Sequence, residues 1–235
     1  MGRTSATADQ NSPAIRALKR MSAMAGVLLL HLACYFLVNY YNGRRPAGAL
    51  FDFWTRVDDW IPYIGWTWIF YYFGVLYMSG WAIILAAKMP DRSLRPALHA
   101  YLFMIVTGNL LQIAFPAHSP WPQNPASFQY FMHTYISNDP YVCLPSMHVA
   151  LSVLPAELGL IVFESQWGRL LSVLLASLVL VSTLTLKEHF FLDLVAGMAL
   201  GLAAYGVYEW QVKRANARSR GGGGNTPLLK CGMRI

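Results

Sequence analysis

Apolar residues along the chain gather into long blocks separated by short polar or basic stretches. The block "LLSVLLASLVLVSTLTL", residues 170–186, contains no charged side chain. Its length approaches the ~20 residues that a helix needs to cross ~30 Å of hydrocarbon. Six such blocks can be marked, at about 21–39, 61–87, 97–115, 142–163, 170–186 and 190–210. The strict alternation of a membrane barrel is absent, and backbone groups in lipid must be satisfied within the chain, so helices are expected. Trp60, Trp66, Trp68, Trp81 and Trp210 fall near the block ends, where interfacial aromatics collect. The expected architecture is therefore all-α, a polytopic membrane bundle of six transmembrane helices spanning 21–212. Residues 1–20 and 213–235 are polar and basic, with "RSRGGGGN" in the second, and read as disordered tails. No internal repeat is visible.

Composition agrees with the pattern. Of 235 residues, 56% are hydrophobic and only 12% charged, about half the charged share of a soluble domain. The first apolar block lacks a small-residue cleavage site and reads as a retained span. "MGRTSA" has Ala6 where a myristoylation signal takes Ser or Thr.

A net charge of +7 is compatible with nucleic acid as a partner, but its distribution along the blocks gives another answer. Threading six spans puts Arg3, Arg16, Lys19, Arg20, Lys88, Arg92, Arg95, Arg169 and the six basic residues from Lys213 onward on one face. The other face holds only Arg44, Arg45, Arg56 and Lys187. By the positive-inside rule both termini are cytosolic. The basic excess is a matter of orientation and of anionic lipid headgroups, and no nucleic-acid partner is implied. Cys34, Cys143 and Cys231 fall in a span, on the outer face and in the cytosolic tail, so an intrachain disulfide framework is excluded and no zinc-type spacing occurs.

With this topology the ionisable residues collect on the non-cytosolic face, in "FPAHSPWPQNPASFQYFMHTYISNDPYVCLPSMH" and in "LKEHFFLD". His189 follows His148 by 41 positions, one helix out and one helix back, which returns both imidazoles to the same depth. His189 and Asp193 are four apart at a helix start and stack on one face. The carboxylate can fix the imidazole tautomer and leave the other ring nitrogen as nucleophile or base. Pro145 suits a first helical turn. Ser146 and the free amides of that turn would then form an anion site, although Ser146 also fits a simple helix cap. A histidine nucleophile, a second histidine as acid and an anion site together describe phosphoryl transfer.

"PSMH" at 145–148 and "HFFLD" at 189–193 resemble two motifs of the type 2 phosphatidic acid phosphatase superfamily. The resemblance implies a six-span membrane enzyme with a phosphohistidine intermediate, no metal and no cofactor. It implies His189 as nucleophile, Asp193 as its orienting partner and His148 as proton donor and acceptor. Ser146 and its neighbouring amides would hold the non-bridging oxygens. The chain also departs from the family pattern. Met147 stands where the phosphatases usually have glycine, and Thr183 where they have an arginine six residues before the nucleophile. A Lys-x6-Arg-Pro match exists in Lys88, Arg95 and Pro96, but on the face opposite the histidines, so it reads as a decoy. The segment that stands in the equivalent place, "FPAHSPWP", offers His118 and no Lys or Arg.

A phosphate monoester carries close to two charges and benefits from several basic clamps, whereas a diester carries one and needs fewer. The missing arginines therefore resemble the lipid phosphotransferase branch, notably inositol phosphorylceramide synthases. Membrane phospholipid and a lipid alcohol such as ceramide are then the expected substrates, with Lys187 as the remaining cation. Lys187 fits an interface-snorkelling lysine equally well. Monoester hydrolysis of phosphatidic acid or a polyprenyl phosphate by the same residues stays open. From another class, His148 and His189 could ligate haem from one depth, although Asp193 fits a catalytic pair better. The inverted repeats and interrupted helices of a transporter are not evident.

Overall fold

A computed structural model describes residues 12–122, 124–137 and 141–221, and its major elements are helices. In chain order they are α1 Pro13–Asn42, α2 Arg56–Trp60, α3 Trp68–Lys88, α4 Asp91–Ala114, α5 Ser127–Phe131, α6 Met147–Val162, α7 Gln166–Thr185 and α8 Phe191–Gly221. Among the described residues the only β pairing is an isolated bridge between Ala117 and Val142. Five helices, namely α1, α3 with its preceding turn, α4, α7 and α8, are long and apolar enough to cross a membrane. The fourth apolar block yields the shorter α6, of 16 residues. It starts at Met147 because Ser146 takes the N-cap position, with its hydroxyl accepting from Val149 N. Pro145 therefore precedes the helix instead of occupying its first turn. The block marked at 61–87 also starts later: Gly65–Thr67 forms a 3₁₀ turn before α3.

Helical backbone reaches into both segments read as disordered tails. At the first, Ser12 accepts from Ile15 N at 3.2 Å and Pro13 occupies the first turn, so α1 begins well before residue 21. Arg20 then binds Asp91 at 2.7 Å and the carbonyls of Ala87 and Met89, tying α1 to the α3–α4 turn. At the other end α8 continues past residue 212, supported by the Lys213–Glu209 pair at 3.2 Å and by Arg214 over the Trp210 ring. Residues 1–11 and 222–235, the rest of those tails, lie outside the described residues.

The helices pack in a closed order: α1 on α3 and α4, α4 on α8, α8 on α6, α6 on α7, and α7 on α3. Met24, Met78, Leu85, Met104, Leu154 and Leu158 form the buried core between them. Leu29, Leu37, Leu76, Val106, Leu110 and Leu202 point outward and are exposed. So many exposed apolar side chains would be a liability in water and are ordinary when the solvent is lipid.

One close approach matters for the site. A Cβ on Gly197 would sit 2.5 Å from Ser146 O and 2.9 Å from Val149 Cβ. A Cβ on Gly201 would meet Val153 Cβ at 2.8 Å. These two glycines, four apart, let α8 lie against the start of α6, as small residues do at membrane helix interfaces. The contact sets the depth of the α6 N-terminus relative to Asp193.

Candidate active site

The start of α8 and the turn before it carry His189 and Asp193. Asp193 is fully buried in the first turn of α8, and its Oδ2 accepts from His189 Nδ1 at 3.2 Å and from Phe190 N at 3.0 Å. The helix N-terminus favours the negative charge there. Asp193 Oδ1 is buried without a hydrogen-bond partner among the described residues. With Nδ1 protonated and facing the carboxylate, His189 Nε2 keeps a free lone pair.

His148 lies in the first turn of α6 and approaches from the other side. Its ring centroid is 5.8 Å from that of His189, with the planes at 65°. Its Nδ1 is 3.3 Å from the Tyr71 hydroxyl, and the two ring centroids are 4.4 Å apart with the planes tilted by 31°. Tyr71, from the start of α3, is buried and also stands 6.4 Å from the His189 ring. The structure thus brings His148, His189 and Asp193 together, as the spacing predicts, and adds Tyr71. Sequence reasoning did not single out Tyr71. The available signal was topological, since the start of the second apolar block returns to the same depth as the starts of the fourth and sixth.

Ser146 is completely buried, its hydroxyl spent on Val149 N and its own amide donated to Asp193 O at 3.1 Å. Lys187 turns away from the histidines. With φ at 58° it sends its ammonium to Asp58 O and over the Trp54 ring at 5.5 Å. Burial lowers its pKa while Asp58 and Asp59 oppose that shift. It lines a cavity of about 440 Å³ with Trp54, Tyr63, Trp121 and Asn124. His118 packs edge-on against Tyr141 at 5.1 Å and makes no hydrogen bond to His148, His189 or Asp193. His133, in the same outer segment, has a side chain outside the described residues.

Met147 points out of the site. Its sulfur fills the space left by Gly108 on α4, where a Cβ would lie 2.4 Å from it. Thr183 is buried and bonds Val179 O one turn back at 2.7 Å. Lys88 lies over Phe163, the residue that caps the far end of α6, at 5.8 Å. Tyr71 and Lys88 are 17 positions apart on α3, about 25 Å along the axis at ~1.5 Å per residue. The Lys88–Arg95–Pro96 match is therefore at the opposite end of the bundle from the histidines.

Sequence reasoning also passed over a buried polar shell around the nucleophile turn. Glu188 accepts from Tyr72 and Gln129, both at 2.8 Å, and its carbonyl accepts from Ser119 Oγ at 2.5 Å. Burial raises the Glu188 pKa against those hydrogen bonds. Gln112 on α4 donates to Val142 O and Pro145 O, each at 3.1 Å, and so supports the loop leading into α6. Cys143, His189 and Asp193 are the one group among the described residues whose ligand atoms, within 4.8 Å of one another, could converge on a cation. Burial and the nearby Asp193 and Glu188 charges push the Cys143 thiol well above its ordinary range, which disfavours the thiolate that metal binding needs.

A helical bundle with five membrane-length helices and a buried histidine–aspartate pair facing a second histidine defines a class: an integral membrane protein with a histidine-centred site at one end. Comparison with protein families makes the class specific. The family model described as the PAP2 superfamily matches residues 48–207, a span that contains Tyr71, His148, His189 and Asp193, and the chain belongs to that superfamily. Membership places it among lipid enzymes of the phosphatase and phosphotransferase type, acting on lipid phosphates. No curated protein and no solved structure matched the chain.

Proposed function

We propose that this protein is a membrane lipid phosphotransferase that works through a phosphohistidine at His189 and moves a phosphodiester headgroup from a glycerophospholipid to a lipid hydroxyl such as that of ceramide. The observation that carries the reading is the buried His189–Asp193 pair with the His148 ring 5.8 Å from the His189 ring. His189 Nε2 attacks phosphorus, the phosphorus–oxygen bond to diacylglycerol breaks, and His148 gives its proton to the departing alkoxide. In the second step His148 takes the proton of the incoming hydroxyl as that oxygen displaces His189. Asp193 stabilises the positive charge that His189 gains, and Tyr71 holds the His148 ring. No metal takes part.

The preference for a diester, and for the inositol phosphorylceramide synthase-like branch, rests on charge. Thr183 stands buried where the phosphatases carry arginine, Lys187 is turned toward Asp58, and the Lys88–Arg95 pair is at the far end. A centre so short of cations suits one negative charge better than two. In the membrane we place all six helices as spans, α6 included, with both termini cytosolic and the histidines on the periplasmic, extracellular or lumenal face. The basis is the concentration of basic residues at the opposite end.

The deciding experiment gives purified protein phosphatidic acid in one reaction and phosphatidylinositol with ceramide in another. The proposal expects a phosphosphingolipid and diacylglycerol in the second. Free phosphate from the first, with no product in the second, would make the protein a monoester phosphatase.

A further inference from the structure

Asp58 belongs to none of the motifs, yet its hydrogen bonds bracket the nucleophile. It is buried, in the short helix α2. Its Oδ1 accepts from Phe191 N at 2.7 Å, across 133 positions of sequence. Its carbonyl accepts the Lys187 ammonium, across 129 positions. Its Oδ2 closes a capping box with Thr55, accepting from Thr55 N at 2.8 Å and Thr55 Oγ1 at 2.6 Å. His189 lies midway between the two residues that Asp58 holds.

The backbone there needs holding. Lys187 adopts a left-handed φ of 58°, which a side chain with a Cβ does not favour. Phe191 N is one of the free amides that open α8, and Asp193 Oδ2 already serves the neighbouring Phe190 N. Two carboxylates thus divide the amides of this helix start. Asp193 fixes the imidazole, and Asp58 fixes the peptide on which the imidazole stands.

We propose that Asp58 is a positioning residue for the phosphoryl-transfer centre, pinning the turn from Lys187 to Phe191 so that His189 stays against Asp193 with Nε2 aimed at phosphorus. This rests on His189 being the nucleophile. Displacement of a reacting group by ~1 Å lowers rates about 10²-fold, so loss of the pin is felt at the chemistry even though Asp58 touches no substrate. A purely structural role would lie in the capping box with Thr55, and the two roles separate by mutation. Thr55→Val removes a hydroxyl donor and leaves the Phe191 contact. Phe191→Pro deletes the amide donor and leaves Asp58 in place, at a first helical position that proline tolerates.

Orthovanadate, which takes the trigonal bipyramidal shape of a phosphoryl group in transfer, reads the position of His189 without requiring the natural substrate. Its binding to the full chain in detergent micelles is measured by calorimetry, on protein that elutes as a single folded species. Asp58→Ala and Phe191→Pro are each expected to raise Kd by about 10²-fold, the scale of a misplaced reacting group. Thr55→Val should stay within about threefold of wild type, since the contact that orients His189 survives. Should Asp58→Ala not fold, Phe191→Pro decides. Wild-type affinity in Phe191→Pro, or a loss in Thr55→Val as large as in Asp58→Ala, overturns the proposal. Undiminished vanadate binding by His189→Ala would instead remove the nucleophile reading on which it rests.

Discussion

Replacing Asp193 by Asn tests the electrostatics of the centre with almost no change of shape. Two N–H groups, Phe190 N and His189 Nδ1, converge on Oδ2. The asparagine amide must therefore place its oxygen there and its NH₂ at the unpartnered Oδ1 position. The tautomer of His189 survives, and what is lost is the charge. A unit charge ~4 Å from the forming imidazolium contributes about 4 kcal/mol at an effective dielectric of ~20. An amide dipole in its place recovers roughly 1 kcal/mol as a neutral hydrogen bond. The remainder, about 3 kcal/mol, corresponds to a fall in kcat of roughly 10²-fold at ~1.36 kcal/mol per tenfold. Had the NH₂ faced the imidazole, the wrong tautomer would bring the loss nearer the ~10⁴-fold of a serine-protease triad. Stability should fall by ~1–3 kcal/mol, because the buried NH₂ finds no acceptor at the Oδ1 position. The assay is headgroup transfer in mixed micelles with thermal unfolding measured in parallel. A kcat within about tenfold of wild type would refute the electrostatic role, since 10-fold is only ~1.4 kcal/mol.

Further outcomes follow from the same geometry. Gly197→Ala puts a Cβ 2.5 Å from Ser146 O, so α8 must shift from α6, with a loss of ~1–3 kcal/mol in unfolding measurements and a drop in turnover. Gly206→Ala, with nothing within 4 Å, should be neutral or gain up to ~1 kcal/mol from helix propensity. Tyr71→Phe removes the hydroxyl 3.3 Å from His148 Nδ1 and should slow turnover roughly tenfold, the weight of one neutral hydrogen bond, with donor KM little changed. Lys88→Ala and Arg95→Ala, at the far end of the bundle, should keep most activity; complete loss in either would contradict their placement away from the site. Activity should survive EDTA, and inhibition reversed by added zinc would point to the Cys143–His189–Asp193 cluster as a working metal site.

The parts legible in sequence were those governed by repetition and spacing. The run 170–186 lies in α7 up to Thr185, although the helix starts earlier, at Gln166, because nothing but helix satisfies an uncharged apolar backbone in lipid. His148 and His189 met because one helix out and one back must return to the same level. The tails were misjudged over 12–20 and 213–221 because local polarity conceals the tertiary pairings of Arg20 and the intrahelical pairing of Lys213. Lys187 read equally as a cation for phosphate and as a snorkelling lysine, and its direction is set by Asp58, whose position no local pattern reveals. Tyr71 was hidden for a related reason, since it serves the site through a partner on another helix. Met147 shows the converse: it sits in the motif beside His148, but the gap at Gly108 draws it into the core.

The central claim is covalent, that phosphorus passes through His189. A donor phospholipid labelled at phosphorus, reacted for milliseconds and quenched in alkali, preserves a phosphohistidine that acid would destroy, and peptide mass spectrometry locates it. The account predicts label on the peptide containing His189, carrying the headgroup as well if a diester is moved, and no label in His189→Ala. Turnover without label on His189, or label that persists in His189→Ala, would contradict it.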